Sequence, residues 1–253
     1  MQPAMVVGRH LIKGIIMRYS MPVQVRYSEL GPDGRVNLHK ILEYFQDSSI
    51  FHSESLGYKV KDELERNRGW FLLAWNVEIS RYPGLGERLE VITEPYKMRG
   101  FYGYRRFTMS DESGAVLAKA DSLWLLMDLK KMLPQRVPKD MTQAYISDVS
   151  DDRIGVKRKL EEGGSWVFKE KITVQHYYLD SNAHVNNTFY VRWGEECLPV
   201  DYTLRKVMVD YRQSAFEHDT IFIDMIEEED RIRCRFRNQE DTLLALIDFF
   251  NHI

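Results

Sequence analysis

Cysteine is nearly missing from this chain: Cys197 and Cys234 are the two in 253 residues. Two cysteines cannot build a disulfide framework, and so low a count suits a reducing cytosol, so a cytoplasmic protein is expected. Long apolar runs are missing as well. No stretch approaches the ~18 uninterrupted apolar residues of a membrane helix, which excludes a helical span. In the opening segment MQPAMVVGRHLIKGIIMRYS the apolar run is broken by Arg9, His10 and Lys13, and no small-residue cleavage site follows. The segment therefore reads as an irregular leader or a first strand, and initiation at Met17 is compatible with the folded part.

A basic excess is missing too. Lys and Arg number 35 against 38 Asp and Glu, a net charge of −3, which disfavours a nucleic-acid partner. Disorder is excluded by 44% hydrophobic and 12% aromatic residues. The sequence has no GxGxxG, Walker loop, GxSxG elbow, HExxH or paired CxxC, so nucleotide-driven and serine-hydrolase chemistry have no local support. His10, His39, His52, His176, His184, His218 and His252 do not pair at metal-ligand spacing. Neither a metal nor another cofactor is expected.

What the chain does have is an internal repeat. A length of 253 allows one large domain or two small ones. Shifting the sequence by 149 residues lays VQVRYSELGPDGRVNLHKILEYFQDS (23–48) without gaps on ITVQHYYLDSNAHVNNTFYVRWGEEC (172–197). Val25 then meets Val174, Leu30 meets Leu179, Val36 meets Val185, Asn37 meets Asn186, and Tyr44 meets Trp193. Both copies share an order: alternating strand, polar turn, Val-Asn, helix.

The first helix is the clearest element. Asn37 can cap it, Leu38, Ile41, Leu42 and Phe45 follow i, i+3, i+4, i+7, and Gly57 marks a stop near 56. Strands follow at 70–79 and 87–99, then a hairpin of YGYRRFTMS and AVLAKADSLWLLMDL joined at Asp111–Gly114. The second half repeats the plan with a strand at 167–178, a short helix at about 187–197 ended by Pro199, and strands near 204–212, 219–226, 231–237 and 242–250. One helix on one face of an antiparallel meander, twice over, is an α+β design. The expected units are residues 17–147 and 166–253, joined by a charged, solvated linker at 148–165.

The densest polar cluster is Leu179-Asp180-Ser181-Asn182-Ala183-His184-Val185-Asn186-Asn187. If the segment is extended, Asp180, Asn182 and His184 share one face. The backbone N–H groups of residues 185–187, Val185 and Asn186 foremost, would open the second helix, where its dipole favours negative charge. A base to activate water, an amide to orient it and N–H donors for an oxyanion are the parts needed to hydrolyse an acyl bond. A plain polar turn is the competing reading, since Asp and Asn are default turn residues. At the equivalent places the first copy has Gly31, Asp33 and Arg35, so one copy alone carries the full polar set.

DSNAHVNNTFY resembles the D-x-N-x-H-V-N-N motif of the acyl-acyl-carrier-protein thioesterases, enzymes that terminate fatty-acid synthesis in plastids and have bacterial relatives. Trp70, SRYPGLGERLEV (80–91), GFYGYRRFTMSDESGAVLAKADSLWLLMDL (100–129), RVPKDM (136–141) and VDYRQSAFEHD (209–219) are similar to the same family, from about Val23 to Phe249. The resemblance implies a tandem, or double, hotdog: two antiparallel sheets, each wrapped around a helix. It also implies hydrolysis of fatty acyl-acyl-carrier protein, with Asp180, Asn182 and His184 as catalytic residues. His184 and Asp180 would activate water or the attacking group, Asn182 would orient it, and which of the first two is base or nucleophile stays open.

The same resemblance puts Glu196 at an acidic position in a supporting network, equally readable as a helix-surface carboxylate. It departs after Tyr211-Arg212, where plant members carry a glutamate and a cysteine and this chain has Ser214 and Ala215. A cysteine nucleophile at that position is excluded, Ser214 is a candidate to hold water, and Glu217 and His218 are substitutes out of register. Cys197 and Cys234 are expected to be inert packing. The family sets acyl length with first-half side chains, so Phe45, Trp75 and Trp124 are weak tail-pocket candidates, each more simply core.

The implied partner is the acidic acyl carrier protein. Candidate basic clusters are Lys97, Arg99, Arg105 and Arg106; Lys130, Lys131 and Arg136; and Lys157, Arg158 and Lys159. An acyl-CoA thioesterase and an acyl-binding protein impaired in catalysis are the alternatives. A hotdog dehydratase is disfavoured because no His-plus-carboxylate pair is split between the halves in an evident motif. Monomer and homodimer are both open.

Overall fold

A computed structural model of the chain describes residues 18–145 and 153–253. The leader and the Met17 start lie outside these residues, as does part of the expected linker. Helix α1 (Leu38–Ser55) buries Leu38, Ile41, Leu42 and Phe45 on the face that the periodicity predicts. It ends before Gly57, whose φ of 86° suits a residue without Cβ. Strands β1 (Tyr19–Gln24), β2 (Arg68–Ile79), β3 (Arg88–Arg99), β4 (Tyr102–Asp111) and β5 (Val116–Asp128) pair antiparallel in the order β1-β3-β4-β5-β2. A two-residue β6 (Leu133–Pro134) borders β5.

The second half repeats this plan. β7 (Val167–Thr173), α4 (Asn187–Glu196), β8 (Lys206–Tyr211), β9 (Thr220–Glu227), β10 (Arg231–Arg237) and β11 (Leu243–Phe250) give the order β7-β9-β10-β11-β8. The 149-residue offset holds down to single residues. Short 3-10 turns occupy 27–29 and 176–178, isolated bridges join Leu30 to Val36 and Leu179 to Val185, and the helices begin at Leu38 and Asn187.

Three features differ from the sequence expectation. The strand expected at 167–178 stops at Thr173, because the 3-10 turn at His176–Tyr178 intervenes. Two short helices, α2 (Val60–Glu65) and α3 (Lys139–Tyr145), carry too few turns to show a periodicity. The two sheets are also not separate: β2 pairs with β8, from Ala74↔Asp210 to Glu78↔Lys206, and the strands form one continuous sheet. Each half alone would leave a long inner edge unpaired, and pairing the two edges satisfies those backbone groups.

Nor is the connecting segment a purely solvated linker from 153 onward. Asn76 donates to the Gly155 carbonyl at 2.8 Å, and Leu160 N–H donates to the buried Asp210 at 2.9 Å. Leu160 packs with Met208 and Leu246 on the outer face of the sheet. The segment is a strap across both halves, and it covers charged side chains that point away from the helices.

On the inner face, α1 and α4 pack against each other and against the sheet. Phe45, Trp75 and Phe107 interlock at ring separations of 5.1–6.2 Å. Gly194 lets α4 approach β11: a Cβ there would lie 2.7 Å from Phe249.

Candidate active site

Asp180, Asn182 and His184 do come together, but not on an extended segment. The chain makes a tight turn in which Asp180 N–H donates to the His184 carbonyl at 2.7 Å and Ala183 takes φ 59°. Asp180 Oδ1 accepts from the backbone N–H groups of Asn182 (2.8 Å) and His184 (3.2 Å), an Asx turn that overrides the simple alternation. All three residues line one cavity of about 320 Å³. The His184 imidazole is flanked by Phe216 at 5.0 Å, edge-on, and by Phe71 of β2 at 6.1 Å.

The turn is anchored on both sides. Val185 N–H donates to the Ala215 carbonyl and Asn186 N–H to the Tyr178 carbonyl, each at 2.9 Å. Tyr211 Oη donates to the Asn187 carbonyl at 2.8 Å. The oxyanion role expected of the Val185 and Asn186 amides is therefore corrected: both are engaged with carbonyls. Asn186 caps α4 instead, its Oδ1 accepting from Thr188 N–H at 3.1 Å. Asn187, the first residue of α4, lines the cavity, and among the described residues its N–H has no acceptor.

The first copy shows why it lacks this equipment. Its Asn37 makes no side-chain cap bond, and its Oδ1 lies 2.6 Å from where a Cβ on Gly31 would fall. A carboxylate at position 31 requires that amide to swing away. Arg35, at the place of His184, donates to the Tyr82 carbonyl at 3.0 Å.

The other candidates divide. Ser214 lines the cavity, whereas Ala215 is fully buried and offers its carbonyl to Val185. Trp124 lines the cavity and donates from Nε1 to Ser122 Oγ at 2.7 Å. Phe45 and Trp75 do not reach it; they are core, at most 1% exposed. Glu196 pairs with Arg192 at 3.2 Å on the surface of α4, away from the cavity. Glu217 pairs with the exposed His176 at 3.4 Å, and His218 is exposed. Burial pushes both cysteine thiols up, which suits packing rather than chemistry.

Sequence reasoning missed much of the wall. Trp70, Phe71 and Leu72 of β2, Met98 of β3 and Leu126 of β5 form an apolar channel from the first half. Trp70 lies over Gly103, where a Cβ would meet its indole at 3.2 Å. Beyond it the cavity reaches Arg105 and Tyr145. On the second-half side Tyr190 and Tyr211 are buried, and burial pushes both phenols up, so they remain neutral donors. Arg212 is held by the buried Asp210 at 2.6 Å and by Glu162 of the strap at 3.1 Å. Among the described residues no group of histidine, cysteine and carboxylate side chains is arranged to hold a metal.

A polar turn from the second half and an apolar wall from the first half thus line one cavity. Residues 17–145 match the acyl-ACP thioesterase N-terminal domain, and residues 165–250 match the acyl-ACP thioesterase C-terminal domain. The chain belongs to the acyl-ACP thioesterase family. It is 27% identical over 214 residues to a chloroplastic acyl-[acyl-carrier-protein] hydrolase of Cuphea viscosissima, covering 79% of this chain and 51% of that one. It is 27% identical over 202 residues to the chloroplastic dodecanoyl-[acyl-carrier-protein] hydrolase of Umbellularia californica, covering 74% and 52%. The chain thus spans about half the length of the curated relatives it matches.

Solved thioesterases of the family share the fold. An acyl-ACP thioesterase from Bacteroides thetaiotaomicron superposes with TM-score 0.80 at 16% identity, over 92% of this chain and 97% of that one. The 12:0-ACP thioesterase from Umbellularia californica gives TM-score 0.79 at 20% identity, over 96% and 98%. The α+β architecture is a double hotdog, as the resemblance implied. Within this acyl-ACP thioesterase fold, Ser214 stands at the cavity where the resemblance places the plant glutamate.

Proposed function

We propose that the chain is a thioesterase that hydrolyses fatty acyl-acyl-carrier protein to free fatty acid and carrier protein. The observation that carries this reading is the shared cavity, lined by Asp180, Asn182 and His184 and by an apolar wall from β2, β3 and β5. An acyl tail fits the channel through burial of its methylenes, at ~0.8 kcal/mol each. The thioester carbonyl then lies among the polar groups.

His184, with Asp180, activates water, and Asn182 orients it. Asp180 already fixes the turn through Oδ1, and its Oδ2 has no hydrogen-bond partner among the described residues. Ser214 adds a hydroxyl able to hold the water. The Asn187 N–H, at the positive end of α4, stabilises the oxyanion in place of Val185 and Asn186. Residues 17–147 form the tail-side unit and 166–253 the unit with the catalytic motif, joined by 148–165.

The acidic carrier protein docks through basic surface. Of the three clusters, the first is reduced to Lys97 and Arg99, because Arg105 is buried and Arg106 pairs with Glu94. Lys130, Lys131 and Arg136 are exposed, as are Lys157, Arg158 and Lys159.

Following free thiol with matched acyl-carrier-protein and acyl-CoA substrates tests the reading. Faster release from the carrier protein supports it. Equal or faster release from CoA shifts the carrier assignment, and binding without release identifies an acyl-binding protein.

A further inference from the structure

The end of the cavity away from the 180–184 turn, lined by Arg105 and Tyr145, is unlike a pocket for a methyl group. Along β4 the inward positions are Gly103, Arg105, Phe107 and Met109, so a guanidinium stands in an otherwise small or apolar row. Arg105 is 7% exposed and lines the cavity. Its Nη1 donates to His52 Nδ1 at 3.0 Å and to Thr93 Oγ1 at 3.1 Å, while Nε and Nη2 have no partner among the described residues.

Neither neighbouring carboxylate pairs with Arg105. Glu63, which also lines the cavity, gives Oε1 to Arg66 and Arg68 and keeps a buried Oε2 without a hydrogen-bond partner among the described residues, and Glu94 pairs with Arg106. Burial lowers Arg105 to about 10, and burial beside that cation lowers His52 to about 3, so His52 stays neutral and Arg105 keeps the charge. Tyr145, 2% exposed, lines the same end, its ring 5.8 Å from the guanidinium. Its hydroxyl is buried without a well-aligned partner, the Ser53 hydroxyl beside it donating to the Ser49 carbonyl.

A buried cation with unpaired donors is costly, and a methyl terminus offers it no acceptor. An acyl chain reaching this end must also displace whatever water solvates those donors. The reach is set by the sheet: from Phe71 of β2, which flanks His184, Arg105 lies two strand spacings away through β5 and three residues along β4 from Tyr102, the residue in register with Phe71, roughly 14 Å in all.

We propose that Arg105 and Tyr145 bind an acceptor oxygen carried by the acyl chain at its end remote from the thioester, so that the preferred substrates are acyl chains ending in a carboxylate or hydroxyl. The proposal rests on the thioesterase reading for the orientation of the chain, and its test does not need turnover. Three methyl esters of equal carbon number are titrated into the full chain by calorimetry: the fatty acid ester, the ω-hydroxy ester and the dicarboxylic half-ester. Esterification leaves no carboxylate at the head to enter backwards.

The oxygenated compounds are expected to bind about tenfold or more tighter than the methyl-ended one. Arg105→Met should erase the preference, and for the half-ester more completely than for the hydroxy ester. Tyr145→Phe, which removes one oxygen, should reduce it. Equal binding of the three compounds by the wild type overturns the proposal. So does a preference that persists in both variants; if Arg105→Met does not fold, Tyr145→Phe alone decides. Thiol release without the preference would leave the hydrolase reading intact and remove only this one.

Discussion

Gly34 and Ala183 stand 149 residues apart at the same corner of two equivalent turns, with φ of 74° and 59°. An L-residue in that region is strained by ~1–2 kcal/mol, whereas glycine is not, and glycine loses ~0.4–1 kcal/mol more on folding through chain entropy. The two corners should therefore respond in opposite senses. Ala183→Gly is expected to stabilise by about 0.5–1 kcal/mol and Gly34→Ala to destabilise by a similar amount in urea unfolding. Shifts of the same sign would show that the two turns are not equivalent.

Asp180 has two separable tasks, holding the turn through Oδ1 and facing the cavity. Asp180→Asn keeps an oxygen for the Asn182 and His184 amides, so unfolding free energy should change by less than about 1 kcal/mol. Turnover should fall by about 10²–10⁴ because the charge and basicity are gone. An Asn variant within tenfold of wild type would remove Asp180 from the chemistry.

Gly194 holds α4 against β11. Alanine favours a helix by ~1 kcal/mol, yet its methyl would lie 2.7 Å from one Phe249 ring carbon and 2.9 Å from another. Overpacking by ~1–3 kcal/mol should win, leaving Gly194→Ala less stable by about 1 kcal/mol. A more stable variant in thermal or urea unfolding would mean that the contact relaxes freely.

His52 gives a pH signature to the first half. In the folded chain it stays neutral down to about 3, whereas an unfolded histidine protonates near ~6.5. Below ~6.5 the unfolded state binds a proton that the folded state refuses. The associated stability is present above that pH and is lost as pH falls toward 3, by at most about 1.4 kcal/mol per unit. Replacing His52 by Asn should flatten the stability profile between pH 6.5 and 4 relative to wild type. Parallel profiles would place the histidine in a wetter environment.

Much of the fold was legible because its signals are local. The 3.6-residue period over Leu38–Phe45 gave α1 and its buried face, and the repeat carried the turn, bridge and helix start from one half to the other. What escaped is non-local. The β2–β8 pairing brings Phe71 beside His184, and no spacing within either segment encodes it. The Asx turn at Asp180 was hidden behind an alternation that would have placed the same three residues together by a different route. Phe45 and Trp75 are core, the simpler of the two readings their sequence positions allow, and their rings meet Phe107. Arg105 looked like part of a surface cluster, because a charge on a strand gives no sign of which face it occupies.

Hydrolysis in the proposed reading depends above all on His184. The decisive quantity is kcat/KM for release of free carrier-protein thiol from acyl-acyl-carrier protein, measured for the wild type and His184→Ala after both give the same unfolding midpoint. A loss of about 10²–10⁴ is expected in the variant. Hydrolysis by His184→Ala within a few-fold of wild type would contradict that reading.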